Sequence, residues 1–319
     1  MPQSCGTSAD YCYFCGDNQL FLTRSMNTDN ISAGNANCQR GLVLEGGAMR
    51  GLWTAGVMDV MMEHGVWPDG LIGVSAGAAF GCNYKSRQAR RAVRYNMRFA
   101  RDSRYSGLRS WLTTGNYYNA EFGYHTMPRE LDVFDNDAFN RNPMAFYVVC
   151  TDVLTGGAVY QQLTEATEDA YDWIRASASM PLASKVVQLQ GRKLLDGGVA
   201  DSIPLEYFES IGYRRNVVIL TQPAGYQKEP LKLMPLMRLS LRRYPRMIEA
   251  MDRRHLMYNR QLEYVAQAEQ EGRCLVIRPD FKIPIGHISH DAKQMHFVYQ
   301  LGRSVGEQYL DSIRAFYGL

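Results

Sequence analysis

The 319-residue chain is 46% hydrophobic and 21% charged, enough apolar material for a sizeable core and too little charge for wholesale disorder. Its 35 basic and 32 acidic side chains leave a net charge of +3, too mild to imply a nucleic-acid partner. The longest uncharged run, Gly70 to Tyr84, is interrupted by Ser75, Asn83 and several glycines. It falls short of the ~20 apolar residues of a membrane helix, so any membrane contact is expected to be peripheral.

Residues 1–39 read as a flexible polar leader rich in Ser, Thr, Asn, Asp and Gly, in which Met26 offers an alternative start and no secretory signal is evident. Cys12 and Cys15 form a C-x-x-C pair without the second pair or nearby His that a zinc site needs. The cysteine count is odd. Cys82, Cys150 and Cys274 lie in apolar stretches, which suits free thiols and a cytoplasmic protein.

Order is expected to begin sharply at Gly41-Leu42-Val43-Leu44-Glu45, a buried strand that runs into Gly46-Gly47. Arg50 to His64 has the apolar spacing of a helix, closed by Gly65. A second short strand, Gly70 to Gly73, enters a small-residue helix. Residues 85–142 are richer in charge and predict helical pieces and long loops. Met144 to Thr151 is another buried strand, a turn at Gly156-Gly157 leads to a short strand over 159–161, and residues 167–179 look helical. Lys185 to Leu195 predicts a hairpin about Gln190-Gly191. A helical stretch from Leu205 precedes a strand over 216–221. Pro223 to Pro245 reads as irregular, 246–271 as a long charged helix, 274–278 as a strand and 291–316 as a final helix. Strands alternating with helices predict a three-layer α/β/α sandwich around a mostly parallel sheet. The expected division is 1–39 leader, 40–222 core and 223–319 a mainly helical region packed on the core.

Three glycine-rich turns carry the chemistry. Gly73-Val74-Ser75-Ala76-Gly77 is a G-x-S-x-G pattern at a strand-to-helix junction, where a nucleophilic serine needs small neighbours to occupy a strained turn. The Ala76 N–H and the helix start would face a developing oxyanion. The same residues also fit a tight packing turn with a capping serine. Glu45-Gly46-Gly47-Ala48-Met49-Arg50-Gly51 leaves backbone N–H groups free to cradle an anion, an oxyanion or a phosphate, although no Walker lysine follows. Arg50 fits an anionic head group or a helix-start ion pair equally. Leu194-Leu195-Asp196-Gly197-Gly198 puts an acid at a strand end before two glycines, and taken alone it reads as an ordinary turn aspartate.

In this order the three elements resemble the patatin-like phospholipase family, bacterial members most of all. The family carries a G-G-x-R-G-like oxyanion loop, a G-x-S-x-G elbow and a D-G-G/A motif. Arg175-Ala176-Ser177-Ala178-Ser179-Met180-Pro181 resembles the family segment ahead of the aspartate. The resemblance covers roughly residues 40–222. One departure is Ala48, with Met49 before Arg50, where the family usually has a third glycine. The resemblance implies a patatin-like fold and lipid acyl hydrolysis by a Ser75–Asp196 dyad without histidine, metal or cofactor. The implied oxyanion loop is Gly46, Gly47, Ala48, Met49, Arg50 and Gly51, and the elbow is Gly73, Ala76 and Gly77. Acyl transfer or thioester hydrolysis on the same serine, and a silent lipid-binding protein, remain open.

A Ser…Asp…His order is formally available, since His255, His287, His290 and His296 follow Asp196; the dyad reading predicts that none is essential. His64 and His125 lack supporting partners. Basic side chains crowd Lys85 to Arg104 and Arg238 to Arg254. They fit either anionic lipid head groups or solvated, paired helix faces. Tyr105, Trp111, Tyr117, Tyr118 and Phe122 fit an acyl groove, a lid or plain core. No acidic calcium loop is present, and oligomeric state is not legible.

Overall fold

The sheet is seeded by β1 (Gln39–Leu44) and β2 (Gly70–Val74), parallel neighbours whose alternate side chains enter two different cores. Leu42, Leu44 and Leu71 face one core, while Val43, Ile72 and Val74 face the other. Such two-sided burial is what a parallel strand covered by helices on both faces requires. The computed structural model describes residues 39–319 of the chain, so residues 1–38 of the expected leader, with Cys5, Cys12, Cys15 and Cys38, lie outside the described residues, while Gln39 already belongs to β1.

In chain order, α1 (Gly51–Glu63) joins β1 to β2, and α2 (Ala76–Lys85) follows β2 directly. Residues 86–144 then form α3 (Arg91–Phe99), α4 (Leu108–Thr114), a π-helical segment (Phe122–Leu131) and α5 (Asn136–Arg141). The strands β3 (Ala145–Asp152) and β4 (Ala158–Gln162) are followed by α6 (Glu168–Ser177), the hairpin β5 (Val187–Leu189) and β6 (Arg192–Asp196), and α7 (Leu205–Ser210). Gln190 and Gly191 both have positive φ, as a two-residue hairpin turn demands. The chain ends with β7 (Tyr213–Ile219), α8 (Met234–Ser240), α9 (Pro245–Gln270), β8 (Cys274–Ile277) and α10 (Ala292–Tyr317).

Strand order is β5-β6-β3-β2-β1-β7-β8, with β4 also paired to β3. The run β3-β2-β1-β7-β8 is parallel, and β4 and β6 join β3 antiparallel. Helices α1, α2, α3, α6 and α10 cover one face, and α7 and α9 the other, giving the three layers. The final strand, β8, comes from the C-terminal region yet completes the parallel sheet beside β7. The stretch 223–245, expected to be irregular, contains α8; its Pro235 sits in the first turn, where the missing N–H breaks no helical bond. Strand β7 runs Tyr213–Ile219 rather than 216–221, because pairing with β1 begins at Gln39 and Tyr213.

One detail of register sets up the site. β3 pairs with β2 over Ala145–Val149 and with β4 on its other edge over Tyr147–Thr151. β6 pairs with Cys150–Asp152 and so takes over the edge that β2 has left. Val74 lies opposite Val149 and Asp196 opposite Cys150, so the chain leaving β2 at Ser75 emerges beside the end of β6.

Candidate active site

Ser75 sits between β2 and α2 with φ 55° and ψ −118°, a conformation disfavoured for a side-chain-bearing residue. The strain is held from several sides. Its N–H donates to Ser177 Oγ at 2.9 Å, and Ser177 Oγ donates in turn to the Val149 carbonyl at 2.6 Å. A Cβ on Gly73 would lie 2.5 Å from the Gly77 carbonyl oxygen, so the turn closes only with glycine there.

Ser75 Oγ donates a 2.7 Å hydrogen bond to Asp196 Oδ2. The aspartate is fixed at the end of β6: its N–H donates to the Ser179 carbonyl, and its Oδ1 accepts from the Gly198 N–H at 2.8 Å. Thr151 Oγ1 donates to the Asp196 carbonyl at 2.8 Å. Burial pushes the Asp196 carboxyl above its ordinary pKa; the Arg254 guanidinium and the bonds from Ser75 and Gly198 oppose that shift. Arg254 reaches over this turn from α9, its Nε donating to the Gly198 carbonyl at 2.6 Å.

The loop after β1 packs against Ser75. A Cβ on Gly46 would lie 3.0 Å from Ser75 Cβ, and one on Gly47 would lie 2.8 Å from Thr221 Oγ1. Ala48 has φ 50°, the left-handed region that favours glycine, at the place where the resemblance expects one. Among the described residues, the backbone N–H groups of Gly47, Ala48 and Ala76 make no hydrogen bond. Met49 is buried and lines the cavity with Ala48 and Ala76. Gly51 abuts Ala76: a Cβ there would come within 2.8 Å of the alanine methyl. The buried Glu45 anchors the loop's start, accepting from the Tyr258 hydroxyl at 2.6 Å and from the Thr221 N–H.

Ser75 opens into a cavity whose walls are largely aromatic and aliphatic, among them Phe80, Tyr95, Tyr105, Tyr118, Tyr124, Met127, Phe134 and Ile174. Tyr117 also lines it, whereas Phe122 is packed in the core against Phe99 and Tyr105, and Trp111 lines a neighbouring groove. The π-helical segment supplies Gly123, Tyr124, Met127 and Pro128 to the wall. At the cavity wall Arg91 and Asp132 form a buried ion pair with Nε–Oδ1 3.1 Å.

None of the candidate histidines is hydrogen-bonded to Ser75 or Asp196. His255 and His296 bond within their own helices, and His290 lies between Tyr117 and the Ala100 carbonyl. His64 pairs with Glu307, and His125 with Glu168 and Asp172. His287 alone among them lines the cavity, 3.4 Å from Arg50 Nη1. Of the basic residues after the elbow helix, Lys85 is buried on main-chain carbonyls and Arg90, Arg91, Arg94 and Arg104 pair with carboxylates, so much of that stretch is structural. Cys82, Cys150 and Cys274 are buried free thiols, and burial pushes the Cys82 thiol up to about 11. Among the described residues no His, Cys, Asp and Glu cluster suits a metal ion.

The family profile described as patatin-like phospholipase matches residues 42–209. The chain belongs to the patatin-like phospholipase family. A second profile, for a domain of unknown function (DUF6363), matches residues 244–318. Among relatives, the Escherichia coli protein YjjU is 31% identical over 207 residues, 59% of this chain and 54% of that one. A lysophospholipase, nte1 of Aspergillus niger, is 25% identical over 303 residues, 86% of this chain but 18% of its own length. The NTE1 lysophospholipase of Coccidioides immitis is 27% identical over 307 residues, again 18% of its length. This patatin-like chain therefore spans about half of YjjU and under a fifth of the fungal relatives. Among solved structures, VipD from Legionella pneumophila aligns with 86% of this chain and 67% of its own, at 11% identity and a TM-score of 0.42. Among the described residues of this patatin-like protein, no helix is long and apolar enough to cross a membrane. The sequence motifs pointed to Ser75, Asp196 and the loop; Ser177 and Arg254 were marked only as members of a longer segment and of a basic stretch, because their partners, the Ser75 N–H and the Gly198 carbonyl, are distant in the chain.

Proposed function

We propose that this chain hydrolyses carboxylic esters of lipids, as a phospholipase A or esterase, through an acyl-Ser75 intermediate with Asp196 as the sole acid–base partner. The observation that carries the reading is the 2.7 Å Ser75–Asp196 hydrogen bond on a strained elbow facing an apolar cavity. Ser75 Oγ attacks the acyl carbonyl carbon while its proton passes to Asp196 Oδ2. The N–H groups of Gly47, Ala48 and Ala76 receive the oxyanion, the kind of donor whose loss costs about 10²–10³ in rate. The leaving alcohol takes the proton from Asp196. A water, deprotonated by the same carboxylate, then attacks the acyl carbon, and Asp196 returns that proton to Ser75 Oγ as the C–Oγ bond breaks and the fatty acid leaves. A raised Asp196 pKa brings the base nearer the alcohols it serves. In this reading the core over 40–222 holds the chemistry, and 223–319 braces it through Tyr258 and Arg254.

Labelling with a fluorophosphonate probe tests the assignment, beside hydrolysis of a p-nitrophenyl ester. Ser75→Ala is expected to abolish both, and Asp196→Asn to lower turnover by at least about 10³-fold. A folded wild type that neither labels nor turns over would favour a silent binding protein, and labelling that survives Ser75→Ala would move the nucleophile elsewhere.

A further inference from the structure

Three cations without ion-paired carboxylates lie beside the Ser75 site, and a fourth, Lys282, precedes the cavity-lining His287 in the chain. Arg50, at the start of α1, holds Nη1 3.4 Å from His287 Nε2, and its buried Nε has no hydrogen-bond partner. Arg254 sits over the Asp196 turn through its bond to the Gly198 carbonyl. Lys228 Nζ lies 4.3 Å above the ring of Tyr258, whose hydroxyl reaches Glu45. Lys282 stands in the segment that leads to His287. All four bear on His287: after partial desolvation, the charges of Arg50, Lys228, Arg254 and Lys282 hold its imidazole below the ordinary pKa.

Among the described residues none of the four is ion-paired within 4.0 Å, whereas Arg91, Arg94, Arg273 and Arg303 all are. Glu45 pulls on the Lys228 ammonium and Arg254 on the Asp196 carboxylate, but neither acid forms an ion pair with these cations. Burial and the charges of Arg254 and Arg50 together bring the Lys228 ammonium down to about 8, against the pull of Glu45. Gathering like charges around a cavity mouth is unfavourable in the free protein and favourable once an anion arrives. The orphaned Arg50 Nε is a donor still to be satisfied.

We propose that Arg50, Lys228, Arg254 and Lys282 form a subsite for the phosphate of a glycerophospholipid whose acyl chain enters the Ser75 cavity. Three of the four come from the segment after the sheet's seventh strand, outside the 42–209 match, so head-group choice is supplied by the C-terminal region. The inference rests on the acyl-hydrolase reading for its lipid, and its test separates the two. The kcat/KM of palmitoyl-lysophosphatidylcholine relative to monopalmitoylglycerol should fall by at least about tenfold in Lys228→Gln/Lys282→Gln, which loses the charge-assisted hydrogen bonds to the phosphate. The Lys228→Arg/Lys282→Arg double, which keeps the charge, should restore the ratio. Turnover of both substrates with an unchanged ratio would overturn the subsite and leave the hydrolase standing.

Calorimetry on Ser75→Ala protein reads binding without turnover, using dodecylphosphocholine and dodecyl maltoside below micelle concentrations. The glutamine double should weaken the phosphocholine about tenfold and the maltoside hardly at all. That result in a protein that hydrolyses neither substrate would keep the subsite and sink the hydrolase. Inorganic phosphate competing as strongly as dodecylphosphocholine would overturn the lipid assignment.

Discussion

At the scale of single residues the site is a balance of opposed terms on one carboxyl group. Burial raises the Asp196 pKa, and Arg254, Ser75 and the Gly198 N–H pull it back. Asp196 accepts a proton only when ionised, so kcat/KM should fall as pH drops through the raised value, with an acid limb above the ordinary carboxylate range near 4. Arg254→Gln removes one of the opposing charges and should move that limb to higher pH. A pH–rate profile of both proteins checks this, and a limb that stays put or moves down would deny Arg254 its electrostatic role. Ala48 is the second residue with a conflict built in. An L-residue at left-handed φ is strained by about 1–2 kcal/mol, while glycine's looser unfolded state returns about 0.4–1 of that. Ala48→Gly should therefore stabilise the fold by a few tenths to about 1 kcal/mol in urea denaturation. A loss of stability would mean that the alanine methyl makes contacts worth more than the strain.

At the scale of elements, α1 and α10 pack with their backbones nearly touching, because Gly56 and Gly302 face each other: a Cβ on Gly56 would meet the Arg303 N at 2.7 Å. Asp59 is buried in that contact, accepting from the Tyr299 hydroxyl at 2.8 Å and the Arg90 N–H at 2.9 Å. Burial lifts its pKa from 3.8 to about 6 despite these bonds. A raised carboxyl pKa gives stability that is whole below pH 3.8 and lost as pH rises through about 6, roughly 3 kcal/mol for one such shift. Asp59→Asn keeps an acceptor and cannot ionise. It should match wild type near pH 3.5 and exceed it by up to that amount at pH 8; equal pH dependence in the two proteins would show that Asp59 ionises without penalty. The helix itself was legible from its apolar spacing, as were the strands that end in Ser75 and Asp196. Local pattern could not reveal that β6 replaces β2 along β3, because register beyond a strand's end is a tertiary choice. It also hid α8, whose Leu-Met-Pro-Leu run reads as broken by proline until Pro235 is seen in the first turn. Arg50 belongs to the glycine loop and Arg254 to a basic stretch, but no local pattern joins either to Lys228, which the fold sets over Tyr258 beside Glu45.

At the scale of the molecule, the cavity opens beside a face that is apolar where water should be. α4 presents Leu108, Trp111 and Leu112, and α8 and its leading residue present Leu233, Leu236 and Leu239, with Leu112 69% and Leu239 66% exposed. α8 buries Met234 and Met237 on its inner side, so these leucines are left over after packing. Trp111, Leu112, Leu241 and Tyr244 line one groove, and Ser184 borders both that groove and the Ser75 cavity. Arg109, Arg242 and Arg243 are exposed around it and carry no ion pair among the described residues; Arg238 is exposed too, 3.8 Å from Asp252. Exposed leucines and tryptophan ringed by arginines match an anionic bilayer, where each basic side chain contributes about 1 kcal/mol. We propose that this face seats the cavity mouth on such a bilayer, as peripheral contact. Leu112→Asp/Leu239→Asp should then reduce sedimentation with phosphatidylglycerol vesicles by at least about tenfold, since it removes buried apolar area and adds repulsion. Binding should also weaken as salt rises and on pure phosphatidylcholine, while hydrolysis of a short soluble ester stays near wild type. Vesicle binding unchanged by the double substitution would remove this face from the lipid contact, and a protein whose size halves in solution with the same substitution would assign the face to a second copy of the chain instead.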